Sequence, residues 1–225
     1  LYFGLASFTK RGTQAKKRAF SVMAGLLLAQ VGVMLISAFQ RLRLYEQAYG
    51  FTSLRLAAHV FMVFLGLLLL ALVIMELTNS FRRLGLALVL GLLAFALVMV
   101  GLNEDALIAK LNLERAAQGE KLDSAYLVQG LSNDAVPTLF RSMNDANLNP
   151  ELQQKLQLVL ACRYANFKEG YADAPWQSTS ISELVAKRLY SQHEEVLDKV
   201  GLNREGNVIS VAIDGQEIWC YGRSD

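Results

Sequence analysis

The chain has 225 residues, 53% of them hydrophobic and 19% charged. Its charges separate along the sequence: residues 1–102 hold ten Lys/Arg and two Asp/Glu, a net +8, whereas residues 103–225 hold twelve and eighteen, a net −6. The part of the chain able to form a soluble domain is therefore acidic, which excludes the basic footprint of a nucleic-acid binder, and at about 120 residues it is long enough for one small hydrophobic core.

In chain order, the first apolar stretch is Leu1–Phe8, which runs into Lys10 and Arg11. It is too short to cross a bilayer, and the basic start and cleavage site of a signal peptide are missing. The expectation is the end of a further membrane helix, with an interfacial segment as the alternative. Ala19–Gln40, Val60–Met75 and Leu84–Leu102 then carry no charge. Each approaches the roughly 20 residues that cross a hydrocarbon core of about 30 Å. A charge at the centre of such a helix costs on the order of 2.5–3.5 kcal/mol, so its absence is informative. The expected membrane domain is 1–102, with spans at about 19–40, 59–78 and 84–102.

Lys10, Arg11, Lys16, Lys17 and Arg18 precede the first of these spans, and Arg82 and Arg83 lie between the second and third. Both groups fall on one side, which the positive-inside rule makes cytoplasmic. The loop 41–58 and everything after Leu102 then face an extracytoplasmic space. In that loop Arg41, Arg43, Tyr45, Tyr49 and Arg55 suit the headgroup region, where rings with polar tips and snorkelling arginines settle. The loop is expected to lie along the outer interface, with a short helix broken at Gly50, or to serve as a docking surface.

From Asn103 the period becomes that of amphipathic helices. Asn103 caps a helix with Glu104 and Asp105 in its first turn, and Gly119 stops it. Short helices follow from Asp123 to Val128 and from Ser132 toward Met143. Asn149-Pro150-Glu151 is a start signal for a helix reaching about Phe167, and Lys168–Thr179 reads as a loop. A last long helix, about Ile181–Val200, capped by Ser180 or Ser182, is expected to turn Leu184, Val185, Leu189, Val196 and Leu197 inward. Asp214-Gly215 between two β-branched or aromatic runs predicts a hairpin at about 208–221. The fold class is thus α: three complete membrane spans, then a mainly helical extracytoplasmic domain, 103–225, ending in a β-hairpin.

Few residues suggest chemistry. Cys162 and Cys220 are read first as two buried thiols; in an oxidising space they could instead form a disulfide. A Cys162–His193 nucleophile pair, or Cys162, His193 and Cys220 as metal ligands, lacks any supporting local spacing. His59 stands at the outer mouth of the second span beside Ala57 and Ala58. Small neighbours leave room for a flat macrocycle, so a haem or chlorophyll-type pigment is one reading and a plain interfacial histidine the favoured one. Gln30 and Glu76 are isolated polar residues in the spans. No phosphate loop, nucleophile elbow or zinc-protease motif is present in the sequence, and no enzyme or cofactor is expected.

Arg43–Arg55 (RLYEQAYGFTSLR), Asn103–Ala109 with Asn112–Arg115, and Leu122–Leu127 with Leu131–Pro137 resemble the signature stretches of a bacterial multi-pass membrane family. That family is filed as a domain of unknown function, under the number four-one-seven-three. The resemblance covers roughly residues 1–137. It implies further membrane helices upstream and the bacterial inner membrane as the location, and it carries over no catalytic residues. The expected function is a non-catalytic structural or accessory subunit of a membrane complex, with the bilayer and other membrane protein subunits as partners. Alternatives are the C-terminal part of a transporter or sensor, and a haem- or pigment-binding subunit using His59.

Overall fold

The computed structural model describes residues 14–78, 84–146, 148–171, 180–198, 200–205, 208–213 and 216–220. The expectations placed on Leu1–Phe8, on the Arg82–Arg83 turn, on most of the loop before Thr179 and on the Asp214–Gly215 turn lie outside the described residues.

The chain divides into two units. The first comprises residues 1–49 and 54–102 and, among the described residues, holds α1 (Gln14–Tyr49), α2 (Ser53–Leu77) and α3 (Leu84–Gly101). Each contains a stretch long and apolar enough to cross a membrane: Ser21–Tyr49, Ser53–Met75 and Leu84–Gly101. At most 6% of each apolar window is buried within the chain. Exposed apolar residues such as Val22, Leu86 and Val100 therefore need hydrocarbon or another protein to cover them. The helices touch at small residues and rings. Leu35 lies 3.6 Å and Leu68 3.0 Å from the Cβ positions that side chains at Gly66 and Gly91 would occupy, and Phe95 sits edge-on to Phe61 and Phe64.

α1 and α2 extend beyond the expected spans, whereas α3 falls within its own. α1 has 36 residues, about 54 Å at 1.5 Å per residue. The segment from Arg41 is therefore not a loop; it is the last turns of α1, and Ser53 already opens α2. The reason is local: 41–49 contains helix formers and no Gly or Pro. Gly50, with φ +81°, ends the helix in the left-handed conformation that favours glycine.

The second unit comprises residues 50–53 and 103–225. Its helices are α4 (Glu104–Ala117), α5 (Ser124–Gln129), α6 (Val136–Met143), α7 (Pro150–Tyr171), α8 (Ile181–Gln192) and α9 (Glu194–Leu197), with a 3-10 turn at Asn133–Ala135. The start signals act as read: Asn103 accepts from the Ala106 N–H, Asp123 from Tyr126 and Asn149 from Glu151, and Ser180 with Glu183 forms a capping box. Such caps are worth about 1 kcal/mol each. α7 is the axis of the core: Leu156, Leu158, Val159, Leu160 and Cys162 are fully buried, and α5, α6, α9, β2 and β3 pack around it. An apolar surface on every side marks a helix enclosed by its neighbours.

Two expectations change here. The last helix is divided at His193 into α8 and α9, and Ala186, Tyr190 and Leu197 are its buried residues. Leu184, Val185 and Val196 face outward. The sequence pattern places the apolar stripe in the core, but the large ring of Tyr190 claims the inward face, packing against Phe140, Tyr164 and Phe167. The hairpin strands are β2 (Val208–Ile213) and β3 (Gln216–Trp219), and an unforeseen β1 (Gly201–Glu205) completes an antiparallel sheet ordered β1-β2-β3. A third strand gives the pair the support that an isolated hairpin lacks.

Candidate functional site

The stretches that carry the family resemblance converge on one place, the link between α1 and α2. Phe51 and Thr52 are non-helical, so their backbone polar groups have no intrahelical partners. Asn112, on α4, supplies them. Its Oδ1 accepts from the Phe51 N–H at 2.8 Å and its Nδ2 donates to the Phe51 carbonyl at 2.9 Å. One side-chain amide thus serves one residue as a β-ladder neighbour would. The Ser53 N–H donates to the Tyr126 hydroxyl at 2.9 Å, from α5. Gly50 is required by space as well as by φ: a Cβ there would lie 2.7 Å from Asn112 Oδ1 and 2.9 Å from Arg115 Nη1.

The clamp is itself braced. Asp105 Oδ2 accepts from the Ser132 N–H at 3.0 Å, fixing the start of α4. Arg163, 6% exposed on α7, donates to four carbonyls. Nη1 reaches Leu127, Val128 and Leu131 at 2.8, 3.2 and 3.0 Å, and Nη2 reaches Ser132 at 2.6 Å. The end of α5 presents unpaired carbonyls and the negative end of its dipole, and the guanidinium answers both. This is a set of donors and acceptors that recognises backbone; it contains no nucleophile–base pair.

Within the first unit, next to the link in sequence, lies an ionisable pair of a buried glutamate and a half-buried histidine. Glu46, 4% exposed, and His59 Nδ1 are 2.7 Å apart, and the His59 ring meets Phe39 edge-on at 4.6 Å. A carboxylate in apolar surroundings is costly without a partner, so the histidine explains the burial. Of the other residues singled out, Arg41, Arg43, Tyr45 and Tyr49 are exposed on the last turns of α1 and Arg55 is half-buried on α2. Tyr45 stacks on Tyr49 at 6.1 Å, and the Arg55 guanidinium lies 5.9 Å from the centre of the Tyr49 ring. Cys162 and Cys220 are fully buried and bonded to each other, across 58 residues of sequence. The preferred reading of two thiols gives way, because the end of β3 brings Cys220 against α7 with a Cα–Cα distance of 4.8 Å, inside the range a disulfide spans. His193 binds the Leu189 carbonyl at 3.0 Å and lies against Phe140. Among the described residues, no group of three or more His, Cys, Asp or Glu is placed to hold a metal ion.

Sequence reasoning missed Asn112, Tyr126, Arg163 and the Glu46–His59 pairing. Asn112 and Tyr126 reach partners 61 and 73 residues away, and no local pattern announces such a pairing. The usable signal was Gly50, a glycine ending a helix without a matching polar loop.

A family model described as a domain of unknown function, DUF4153, matches residues 1–142. Its number is 4153, where the motif resemblance pointed to four-one-seven-three. No curated protein and no solved structure matches the chain.

Proposed function

The chain belongs to the DUF4153 family, and from that premise we propose that it is a non-catalytic structural or accessory subunit of a bacterial inner-membrane complex. Its second unit is an extracytoplasmic docking domain. The observation that carries this reading is the apolar faces of α1–α3, where at most 6% of the residues in each window are buried by the chain itself. Close packing between membrane helices is made by van der Waals contact and small residues, and these helices use few such contacts on one another. Partner helices are the natural occupants of the remaining faces.

The outward orientation draws on two arguments. The seven basic residues favour the cytoplasm for the N-terminal side and for the α2–α3 turn. The Cys162–Cys220 disulfide suits an oxidising compartment. The parity of three crossings agrees, since it sets the α1–α2 link and residues after Leu102 on one face, and Gly50–Ser53 clusters with the second unit. The test is the mass of the chain extracted gently from its native membrane. A discrete heteromeric species is the expected result, and a monodisperse lone chain would overturn the proposal.

One observation favours a second reading, the C-terminal part of a transporter or sensor. Glu46 and His59 are an ionisable pair within the candidate spans, and such pairs mark ion or proton pathways. Proton uptake by proteoliposomes that is lost in Glu46→Gln would establish it. A haem- or pigment-binding role for His59 draws less support, since Glu46 and Phe39 already engage the ring. A visible absorbance band in the purified chain, lost in His59→Ala, would be needed.

A further inference from the structure

The outward face of α8 is largely exposed. Ala186 and Tyr190 are buried, and a period of 3.6 places Ile181, Leu184, Val185, Arg188 and Gln192 on the opposite arc. Ile181 is 81% exposed, Leu184 56% and Val185 42%. Arg188 lies between these apolar residues, Lys187 is at the margin, and no acidic residue stands on that arc. Glu183 is turned aside into the capping box, where it accepts from the Ser180 N–H at 2.9 Å. An apolar arc with only basic charge, on a domain of net −6, is the pattern of a helix that lies in a membrane interface.

The position of α8 within its unit identifies the surface. The chain enters the second unit at Asn103, two residues beyond the end of α3 at Gly101. The first turn of α4 is therefore tethered at the membrane. Asp105, in that turn, binds Ser132, the turn Asn133–Ala135 packs on α4, and α8 packs on the same turn. α8 thus belongs to the tethered end of the unit.

We propose that the Ile181–Leu184–Val185–Arg188 face of α8 docks on the bilayer surface, with Arg188 meeting anionic headgroups. This goes beyond the accessory-subunit reading and does not depend on it, since it needs only that the chain is anchored by its spans.

The test uses the full chain in nanodiscs of phosphatidylcholine with phosphatidylglycerol. Spin labels are placed singly at Ile181→Cys, Leu184→Cys and Asn144→Cys, the last an exposed residue at the far end of α6. The native cysteines are bonded and fully buried, so they do not take up the label. Labels on α8 should collide preferentially with oxygen and be shielded from a water-soluble nickel complex, with the reverse at Asn144→Cys. Arg188→Glu should diminish the contrast at Leu184→Cys. Free access of the nickel complex to both α8 sites overturns the proposal. So does shielding from both reagents, or dipolar broadening between copies, because either means that protein covers the face. An undiminished contrast in Arg188→Glu overturns the anionic-headgroup assignment. All altered positions are exposed, and unchanged melting temperatures would show that the variants fold.

Discussion

Asn112 sets the energy scale of the link between α1 and α2. Truncation to Ala strips a donor and an acceptor from Phe51, and each half-buried group left unmade costs about 1–3 kcal/mol. Asn112→Ala should therefore lower the melting temperature of the full chain in nanodiscs, and Asn112→Asp, which sets an acceptor against the Phe51 carbonyl, should not restore it. Equal melting of all three would contradict the clamp. Gly50→Ala should be at least as damaging. The left-handed conformation costs a non-glycine residue about 1–2 kcal/mol, and the added methyl meets Asn112 and Arg115. For Glu46 and His59 the expectation is non-additivity. His59→Ala leaves the buried Glu46 carboxyl group without its partner, a loss of about 1–3 kcal/mol, whereas Glu46→Gln with His59→Ala should recover much of it. A double-mutant cycle on thermal stability measures this, and additive effects would dismiss the pair.

At the scale of elements, caps and breakers were legible and faces were not. Asn103, Asp123, Asn149 and Ser180 each start a helix where the sequence indicates, because capping is decided within four residues. The inward face of α8 was misread because two stripes compete, and the one with the larger ring won through contacts with Phe140, Tyr164 and Phe167. β1 was missed for a related reason: its pairing with β2 is a tertiary event, and Gly201–Glu205 has little strand character of its own. Arg163 binds α5 and the Leu131–Ser132 segment to α7, so Arg163→Met should destabilise the second unit by about 3 kcal/mol or more by stranding buried carbonyls. Lys would restore little, since a single ammonium cannot reproduce the guanidinium fork. At the α7–α9 junction the Tyr164 hydroxyl donates to Glu194 at 2.6 Å, with the Lys168 Nζ 3.2 Å away. These contacts, that of Tyr164 first, hold the Glu194 carboxyl below its ordinary value. A lowered folded-state value stabilises above the ordinary glutamate value and is lost as pH falls through the folded one. The melting temperature of the wild type should therefore exceed that of Glu194→Gln at neutral pH, and the gap should close in acid.

For the whole molecule, the split between a basic apolar half and an acidic soluble half was readable from charge and hydrophobic run length. What was not readable is that four residues of the first half, Gly50–Ser53, cluster with the second. Nothing in composition distinguishes a link that lies free from one that is gripped. The disulfide joins residues 58 apart, which in the chain-entropy treatment is worth about 4 kcal/mol. A Cys162→Ala, Cys220→Ala double variant should melt well below the wild type, and reductant should have the same effect once the unit is opened. Unchanged melting would mean that the two sulfurs are not bonded in the native protein. The disulfide and the arrangement of basic residues both depend on which side of the membrane the second unit occupies. The most direct measurement is labelling of single added cysteines in intact cells with a membrane-impermeant maleimide. Labelling of Asn144→Cys without permeabilisation, and of Arg83→Cys only after it, is the expected result. The reverse pattern, or labelling of both from one side, would contradict an extracytoplasmic domain carried by three membrane-crossing helices.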